Sequence, residues 1–508
     1  MKFPIGIQTF EKLIKGGYVY VDKTESIYRL IDRGAIYFLS RPRRFGKSLL
    51  LSTLAAIFEG KRHLFKGLFI EDKIEWQAYP VVHISLNGIS NKETDLMIAL
   101  YEIVNENAKK YNITLENTSL NGRFKELLLQ LSQQGEVVLL IDEYDKPLIS
   151  FLDDLATFEK NRGILKEFYG VIKDADNYLK FVFITGVSRF SKVSIFSDLN
   201  NLRDISMQKD FCDICGYSEQ DIHHYFTERI AEIAQEMEIS TEELFLKVKQ
   251  KYNGYNFYGK ILMYNPWSVL NFLEARELNN YWFTSGTPTF LTKFAERMQT
   301  TTEDVVVSKM ELEDLNFQSS DMISLLYQTG YLTINEEIGN DALRLRHPNR
   351  EVAESFRLYL LNKFTEVRQG NIQMTIIALR EAMKSKNETG LKDALNPIFA
   401  NIPYFIYDKD NEKYYHSVMH LIFMLLHYNI QSEVVTNVGR IDSVVEAWNE
   451  IWIFEFKINS TAQTAYNQII NNDYAGQYEH HNKAIYGVGV NFDSTEKRIT
   501  ALIMRRIN

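Results

Sequence analysis

Gly46, Lys47 and Ser48, in the stretch SRPRRFGKSLLLSTL (40–54), are the residue types, in the order, that close a phosphate-binding loop. A lysine there neutralises phosphate charge, and the hydroxyl next to it offers a ligand to Mg²⁺. Backbone N–H groups of such a loop, and of the helix it opens, face the anion. Arg43, Arg44, Phe45 and Leu49 fall in the same segment and complete the set expected to contact a nucleotide, with ATP as the cofactor. The first glycine of the usual pattern would fall on Arg41, which resists the positive φ and close approach that glycine allows. In exchange, Arg41, Arg43 and Arg44 are expected to fork guanidinium groups onto phosphate oxygens. A loop that instead contacts nucleic-acid phosphates is the alternative.

Two further constellations carry chemistry. VVLLIDEYD (137–145) is an apolar run ending in acids, where Asp142 would hold Mg²⁺ through water and Glu143 would orient or activate the attacking water. Thr185, Ser188 and Arg189, in LKFVFITGVSRF (179–190), stand where another strand would present polar groups to a γ-phosphate. Near the other end of the chain, GRIDSVVEAWNEIWIFEFKI (439–458) holds Asp442, Glu455 and Lys457. Residues two apart on a strand share a face, so Glu455 and Lys457 point the same way and Asp442 can meet them across a hairpin. Phosphodiester hydrolysis uses such a set: Asp442 and Glu455 offer hard oxygens to Mg²⁺, the metal acidifies water, and Lys457 positions the nucleophile. The plain alternative is a Glu455–Lys457 salt bridge, with Asp442 capping a turn after Gly439.

These residues need elements to position them. AIYFLS (35–40) reads as a strand and KSLLLSTLAAIFEG (47–60) as a helix, which is the strand–loop–helix context a phosphate cradle requires. PVVHISL (80–86), 137–145 and 179–190 read as further buried strands, with helices over 92–111 and 120–134. The alternation predicts a doubly wound parallel α/β sheet with its ligand at the carboxyl ends of the strands. From about residue 216 helices dominate. The aromatic passage YNGYNFYGKILMYNPWSVLNFL (252–273) would either stack bases or, more ordinarily, pack a core. DMISLLYQTGYLTI (321–334) reads as helix, turn and strand, compatible with a winged-helix unit. NEKYYHSVMHLIFMLLHYN (411–429) reads as an amphipathic helix with Glu412 near its start, and AQTAYNQIINNDY, carrying Gln468, follows the hairpin.

Composition sets the outer bounds. A chain of 508 residues implies two or three domains, and 45% hydrophobic with 24% charged residues excludes a disordered polymer. The net charge of −9 does not advertise nucleic-acid binding by the whole molecule, so that function must rest on a local site. No basic-then-apolar leader opens the sequence and no apolar run reaches membrane-spanning length, so a cytoplasmic protein without a membrane partner is expected. Cys212 and Cys215 form one C-x2-C pair, short of the second pair or spaced histidines of a structural zinc site, with His223 and His224 following on a helix. Reduced, semi-buried thiols are the expectation.

The strings YVDKT (20–24), RPRRFGKSLLLSTL (41–54) and LIDEYDKPL (140–148) resemble the AAA-ATPase-like family, and residues from about 385 resemble the PD-(D/E)XK nuclease superfamily domain usually fused to it. The resemblance implies an AAA-like P-loop ATPase domain (1–215), a helical lid and winged-helix-like middle (216–384) and an α/β restriction-endonuclease-like domain (385–508). It also implies that the arginine-rich loop is the family's own P-loop, that Asp442, Glu455 and Lys457 form the nuclease core, and that Glu412 and Gln468 are auxiliary. The proline usual before the first active-site Asp is replaced by Ile441. The leading expectation is an ATP-controlled, Mg²⁺-dependent nuclease acting on nucleic acid, DNA ahead of RNA. A second reading is a nucleotide-dependent switch or scaffold whose nuclease-like domain binds nucleic acid or a partner without cutting. A third is an oligomeric motor with an arginine supplied in trans, for which Arg189 and Arg203 are placed.

Overall fold

The computed structural model describes residues 1–34, 36–88, 95–152, 154–189, 195–196, 199, 201–259, 261–283, 291, 305–313, 321–365, 369–400, 412–426, 429–435 and 439–508. The chain divides into two compact units: 1–290 with 302–353, and 291–301 with 354–508. The segment 216–384 is thus shared between them rather than forming a body of its own.

The first unit is built on a parallel sheet of β1 (Ile36–Ser40), β2 (Val81–Ser85), β3 (Val137–Asp142), β4 (Leu179–Gly186) and β5 (Arg203–Asp204), in the order β2-β3-β4-β1-β5. β1 and β3 are buried along their whole lengths, which is why their sequences read as unbroken apolar runs rather than alternating ones. β3 stops at Asp142 and β4 at Gly186, earlier than their apolar patterns suggest, because the chain turns there to present polar side chains. β4 lies between β1 and β3, pairing Leu39 with Thr185 on one side and Ile141 with Ile184 on the other. The carboxyl ends of the phosphate-loop strand and of the acidic strand therefore flank the end of β4. Helices Lys47–Phe58, Leu96–Lys110, Leu120–Ser132 and Leu155–Asp174 alternate with these strands; 92–94, expected within the second helix, lie outside the described residues.

Helices Glu219–Glu236, Thr241–Tyr252 and Pro266–Ala275 follow, as the loss of strand pattern after 216 predicts. Their apolar faces share one core with Phe3 and Val21 from the start of the chain, which ties the helical region to the parallel-sheet domain. YVDKT acts at that junction. Asp22 accepts from Thr24 N (2.8 Å), Thr24 Oγ1 (2.7 Å) and Phe69 N (2.8 Å), and Lys23 pairs with Asp221 at 2.6 Å. Helix Asp321–Thr329 leads into an antiparallel sheet of β6 (Val305–Ser308), β7 (Thr333–Ile338) and β8 (Ala342–Arg346) in the order β6-β8-β7. The expected helix, turn and strand are present there, and β6 and β8 add two strands the sequence reading did not include.

The second unit carries a five-stranded sheet in the order β13-β12-β11-β10-β9: β9 (Asn429–Val435), β10 (Arg440–Ala447), β11 (Glu450–Ile458), β12 (Ala484–Asp493) and β13 (Arg498–Arg506). β10 and β11 form the antiparallel hairpin expected from 439–458, while β11 and β12 run parallel and are connected through helix Ala462–Asn471. That helix lies against the sheet where β12 has glycine: a Cβ on Gly489 would stand 2.3 Å from Ala462 O and 2.5 Å from Tyr466 N. Among the described residues no helix is long and apolar enough to cross a membrane.

Candidate functional site

The phosphate loop is shaped largely from behind. Gly46 takes φ +91° as the residue capping helix Lys47–Phe58, and Arg44 also lies in the left-handed region at φ +68°. Phe45 is buried edge-on against Tyr255 and Phe257, with ring centroids 4.8 and 5.4 Å away. Gly330 backs directly onto the loop, since a Cβ there would stand 2.7 Å from Pro42 Cβ. The Arg44 guanidinium lies over Trp267 at 4.1 Å, and Trp282 Nε1 donates to Arg43 O at 3.2 Å. Tyr255, Phe257 and Trp267 of the aromatic passage are thus packed behind and beside the loop.

Arg41 corrects the sequence expectation. Its guanidinium does not face the loop's anion side: it is 1% exposed, lies over Phe257 at 4.0 Å, and donates to the carbonyls of Ser40 (2.9 Å), Ser206 (2.8 Å) and Phe211 (3.1 Å). The residue standing in for glycine turns inward and fixes the loop's entry to the segment after β5. Arg43 and Arg44 are left as the loop arginines outside that buried cage.

Lys47 Nζ donates to two loop carbonyls, Arg41 O at 2.8 Å and Pro42 O at 3.0 Å. Burial pushes its pKa down, and the negative charges of Glu143, Asp142 and Asp145 oppose that shift. Ser48 Oγ donates to Asp142 Oδ2 at 2.6 Å, and Thr185 Oγ1 donates to Asp142 Oδ1 at 2.7 Å, so the ends of β3 and β4 and the first turn of helix Lys47–Phe58 meet at one carboxylate. Leu49 continues the helix's first turn, half-buried. Glu143, the residue after Asp142, takes φ +53°, an uncommon conformation for a side chain of its size. Its Oε2 is buried without a hydrogen-bond partner, and burial raises its pKa while Lys47 opposes the rise.

Ser188 and Arg189 stand close by with other partners. Asp145 accepts from Ser188 Oγ (2.5 Å), Ser188 N (2.6 Å) and Val187 N (3.0 Å), binding the acidic turn after β3 to the end of β4. Arg189 is held by Asp204 through Nε (3.0 Å) and Nη2 (2.6 Å), and its backbone N donates to Gln328 Oε1 at 2.7 Å. Ser188 therefore joins the end of β4 to the acidic turn after β3, and Arg189 joins it to β5 and to helix Asp321–Thr329.

In the second unit, Ser443 pairs with Phe454, which sets Asp442 and Glu455 opposite one another one step along the hairpin. Asp442 Oδ2 accepts from Phe456 N at 2.8 Å, and Lys457 Nζ donates to Glu455 Oε1 at 3.1 Å. Glu455 is 1% exposed and its Oε2 has no partner. Burial and then the neighbouring Asp442 charge push its pKa up to about 7, against the pull of Lys457. Gln468, on helix Ala462–Asn471, reaches Tyr474 Oη at 3.4 Å, and that hydroxyl donates to Arg440 O at 3.0 Å, two residues before Asp442. Glu412 opens helix Glu412–Leu425, but its side chain lies outside the described residues.

A family model described as Predicted AAA-ATPase matches residues 4–196, and one described as PD-(D/E)XK nuclease superfamily matches residues 410–501. An uncharacterized protein in the vnfD 5′ region of Azotobacter chroococcum mcd 1 is 35% identical over 528 aligned residues, spanning 100% of this chain and 99% of that relative. The chain belongs to the predicted AAA-ATPase family and carries a C-terminal PD-(D/E)XK superfamily domain. In its AAA-ATPase-like domain, Ser48 and Asp142 present adjoining oxygens at the mouth of the phosphate loop, a hard donor set suited to Mg²⁺. In its PD-(D/E)XK domain, Asp442 and the unpartnered oxygen of Glu455 form a second such set. Among the described residues no group of three or more His, Cys, Asp or Glu side chains is arranged to hold a metal. Cys212 and Cys215 are free thiols, fully rather than half buried.

Asp145 was not read from the sequence, although its spacing three residues after Asp142 was a usable signal. Asp204, whose carboxylate is covered, and the buried Glu351 had no local signal, because Arg189 and Ser268, which meet them, come from other segments.

Proposed function

We propose that the protein is an ATPase whose nucleotide cycle controls a Mg²⁺-dependent phosphodiesterase acting on nucleic acid. The reading is carried by one feature present twice: a buried carboxylate oxygen without a partner, on Glu143 and on Glu455, each beside a second acid and influenced by a lysine. A carboxylate held that way costs stability unless a cation or a reacting proton is meant to meet it.

In the AAA-ATPase-like domain, Gly46 with the backbone N–H groups of the following turn, together with Arg43, Arg44 and Lys47, would receive the phosphates, with Phe45 and Leu49 holding the loop. Lys47 exchanges its two loop carbonyls for phosphate oxygens. Ser48 and Asp142 would hold Mg²⁺, and Glu143, its basicity raised by burial, would take the proton of the attacking water. Ser188 and Arg189 act through Asp145 and Asp204 to hold the end of β4 against that turn. In the PD-(D/E)XK domain Asp442 and Glu455 would hold Mg²⁺, and Lys457, already 3.1 Å from Glu455, would position the nucleophile. Bound Mg²⁺ supplies acidified water and neutralises charge developing on phosphorus. Gln468, through Tyr474, steadies the strand that carries Asp442, and Glu412 is retained as an auxiliary acid.

The test is nicking of supercoiled plasmid DNA, and in parallel of RNA, with Mg²⁺ or Mn²⁺ and ATP. Loss of cleavage in Lys457→Ala and of nucleotide binding in Lys47→Ala is expected; equal cleavage by wild type and Lys457→Ala defeats the assigned site. The Glu455–Lys457 ion pair favours one competing reading, a nucleotide-dependent switch that binds nucleic acid without cutting. Retained nucleic-acid binding with no cleavage under any metal condition would establish that reading instead.

A further inference from the structure

The carboxylate of Glu351 is 0% exposed, and among the described residues no cation forms an ion pair with it. It lies in the first turn of helix Arg350–Thr365, two residues before the first unit ends at Ala353. It accepts three hydrogen bonds, all from uncharged donors: Ser268 Oγ at 2.7 Å, Tyr281 N at 2.5 Å and Trp282 N at 2.7 Å. A buried, unpaired carboxylate is costly, and a well-packed neutral residue could fill the same space at lower cost. What it holds suggests why it is there. Ser268 is the neighbour of Trp267, whose ring lies under Arg44, and Trp267 Nε1 donates to Tyr281 O at 3.2 Å. Trp282 donates from Nε1 to Arg43 O. The two tryptophans that touch the arginines of the phosphate loop are therefore fixed, on their far sides, by one carboxylate.

We propose that Glu351 is a positioning residue of the nucleotide site: it sets the affinity for phosphates by holding Trp267 and Trp282 against Arg44 and Arg43. The proposal rests on the assignment of the loop to a nucleotide. Burial pushes the Glu351 pKa up to about 7, with the three donors and the charge of Lys251, on helix Thr241–Tyr252, opposing the rise; among the described residues the Tyr255 and Tyr281 hydroxyls, whose pKa values burial raises, also feel its charge, which adds to that rise. The ionised form accepts from all three donors at once, whereas the protonated form turns one oxygen into a donor and weakens the hold on Ser268. Nucleotide affinity therefore falls as Glu351 takes up a proton.

The experiment is calorimetric titration of the full chain with MgATP from pH 6 to pH 8, in wild type, Lys47→Ala, Glu351→Gln and Glu351→Ala. Wild type is expected to bind several-fold more weakly at pH 6 than at pH 8. Glu351→Gln, which keeps the shape and should melt within a few degrees of wild type, should bind about as weakly as wild type at pH 6 and show no such slope. Glu351→Ala should lose tenfold or more. Wild-type affinity and slope in Glu351→Gln would overturn the proposal, whatever happens to Glu351→Ala through misfolding. Absence of MgATP binding in wild type, or equal binding in Lys47→Ala, would instead remove the nucleotide assignment itself.

Discussion

Restoring the glycine that the phosphate loop lacks should damage the protein. Arg41→Gly removes a guanidinium that donates to Ser40, Ser206 and Phe211 carbonyls at 2.8 to 3.1 Å and covers Phe257. Hydrogen bonds from a charged donor contribute about 1.5–3 kcal/mol each, and a buried cation–π contact about 2 kcal/mol. Against this stands the cost of burying the cation, visible in burial lowering its pKa and in an Nε left without a partner. Glycine relieves that cost but leaves carbonyls short of a donor and a cavity the size of an arginine, so the net loss should be about 3–5 kcal/mol. For a unit of this size that is a fall of roughly 4–7 °C in its melting transition. Arg41→Met, which fills the space without donating, should lose less. The assay is thermal unfolding of the full chain with and without MgATP, read beside MgATP affinity. If Arg41→Gly melts within about 2 °C of wild type and binds MgATP as tightly, the inward-facing role is wrong and the guanidinium belongs to the ligand.

Other outcomes follow from the same geometry. Glu143→Gln should retain MgATP binding and lose about a hundredfold or more in turnover, as removal of a proton acceptor does; turnover within a fewfold of wild type would remove Glu143 from the chemistry. Glu455, raised from 4.5 to about 7 in the folded state, binds its proton more tightly folded than unfolded, so its contribution is fully present below pH 4.5 and is lost as pH rises to about 7. With metal chelated, the second unit should therefore lose up to about 3 kcal/mol on this account between pH 5 and 8, and Glu455→Gln should flatten the slope in a urea titration. Gly489→Ala puts a Cβ 2.3 Å from Ala462 O and should lower the melting transition of the second unit without changing MgATP affinity; an unchanged transition would mean that helix Ala462–Asn471 yields freely.

Much of the candidate chemistry was legible because it is local. Gly46, Lys47 and Ser48 follow one another at a strand-to-helix turn, and Glu455 and Lys457 share a strand face at a spacing of two. β3 and β4 read as buried because parallel strands carry apolar residues on both faces. β12 and β13 were not read, although both are long. The crossover helix before them is marked locally, by its Thr461 cap and by Ala462, Ala465, Tyr466 and Ile469 at helical spacing, but which strands it joins is set only by the sheet.

The sequence by itself determined which residues can meet a phosphate or a divalent cation, since residue type and spacing along one element fix what a side chain offers and which way it points. Only the tertiary structure decided which of them meet. β4 came between β1 and β3, so that Thr185 and Ser48 share the Asp142 carboxylate. Arg41 turned away from the loop's mouth because carbonyls from residues 206 and 211 were there to receive it. Glu351 came to govern Trp267 and Trp282 from a helix that begins more than sixty residues further along the chain. Such assignments depend on which distant backbone lies within about 3 Å of a buried charge, and that distance is fixed by packing of the whole unit rather than by any stretch of sequence.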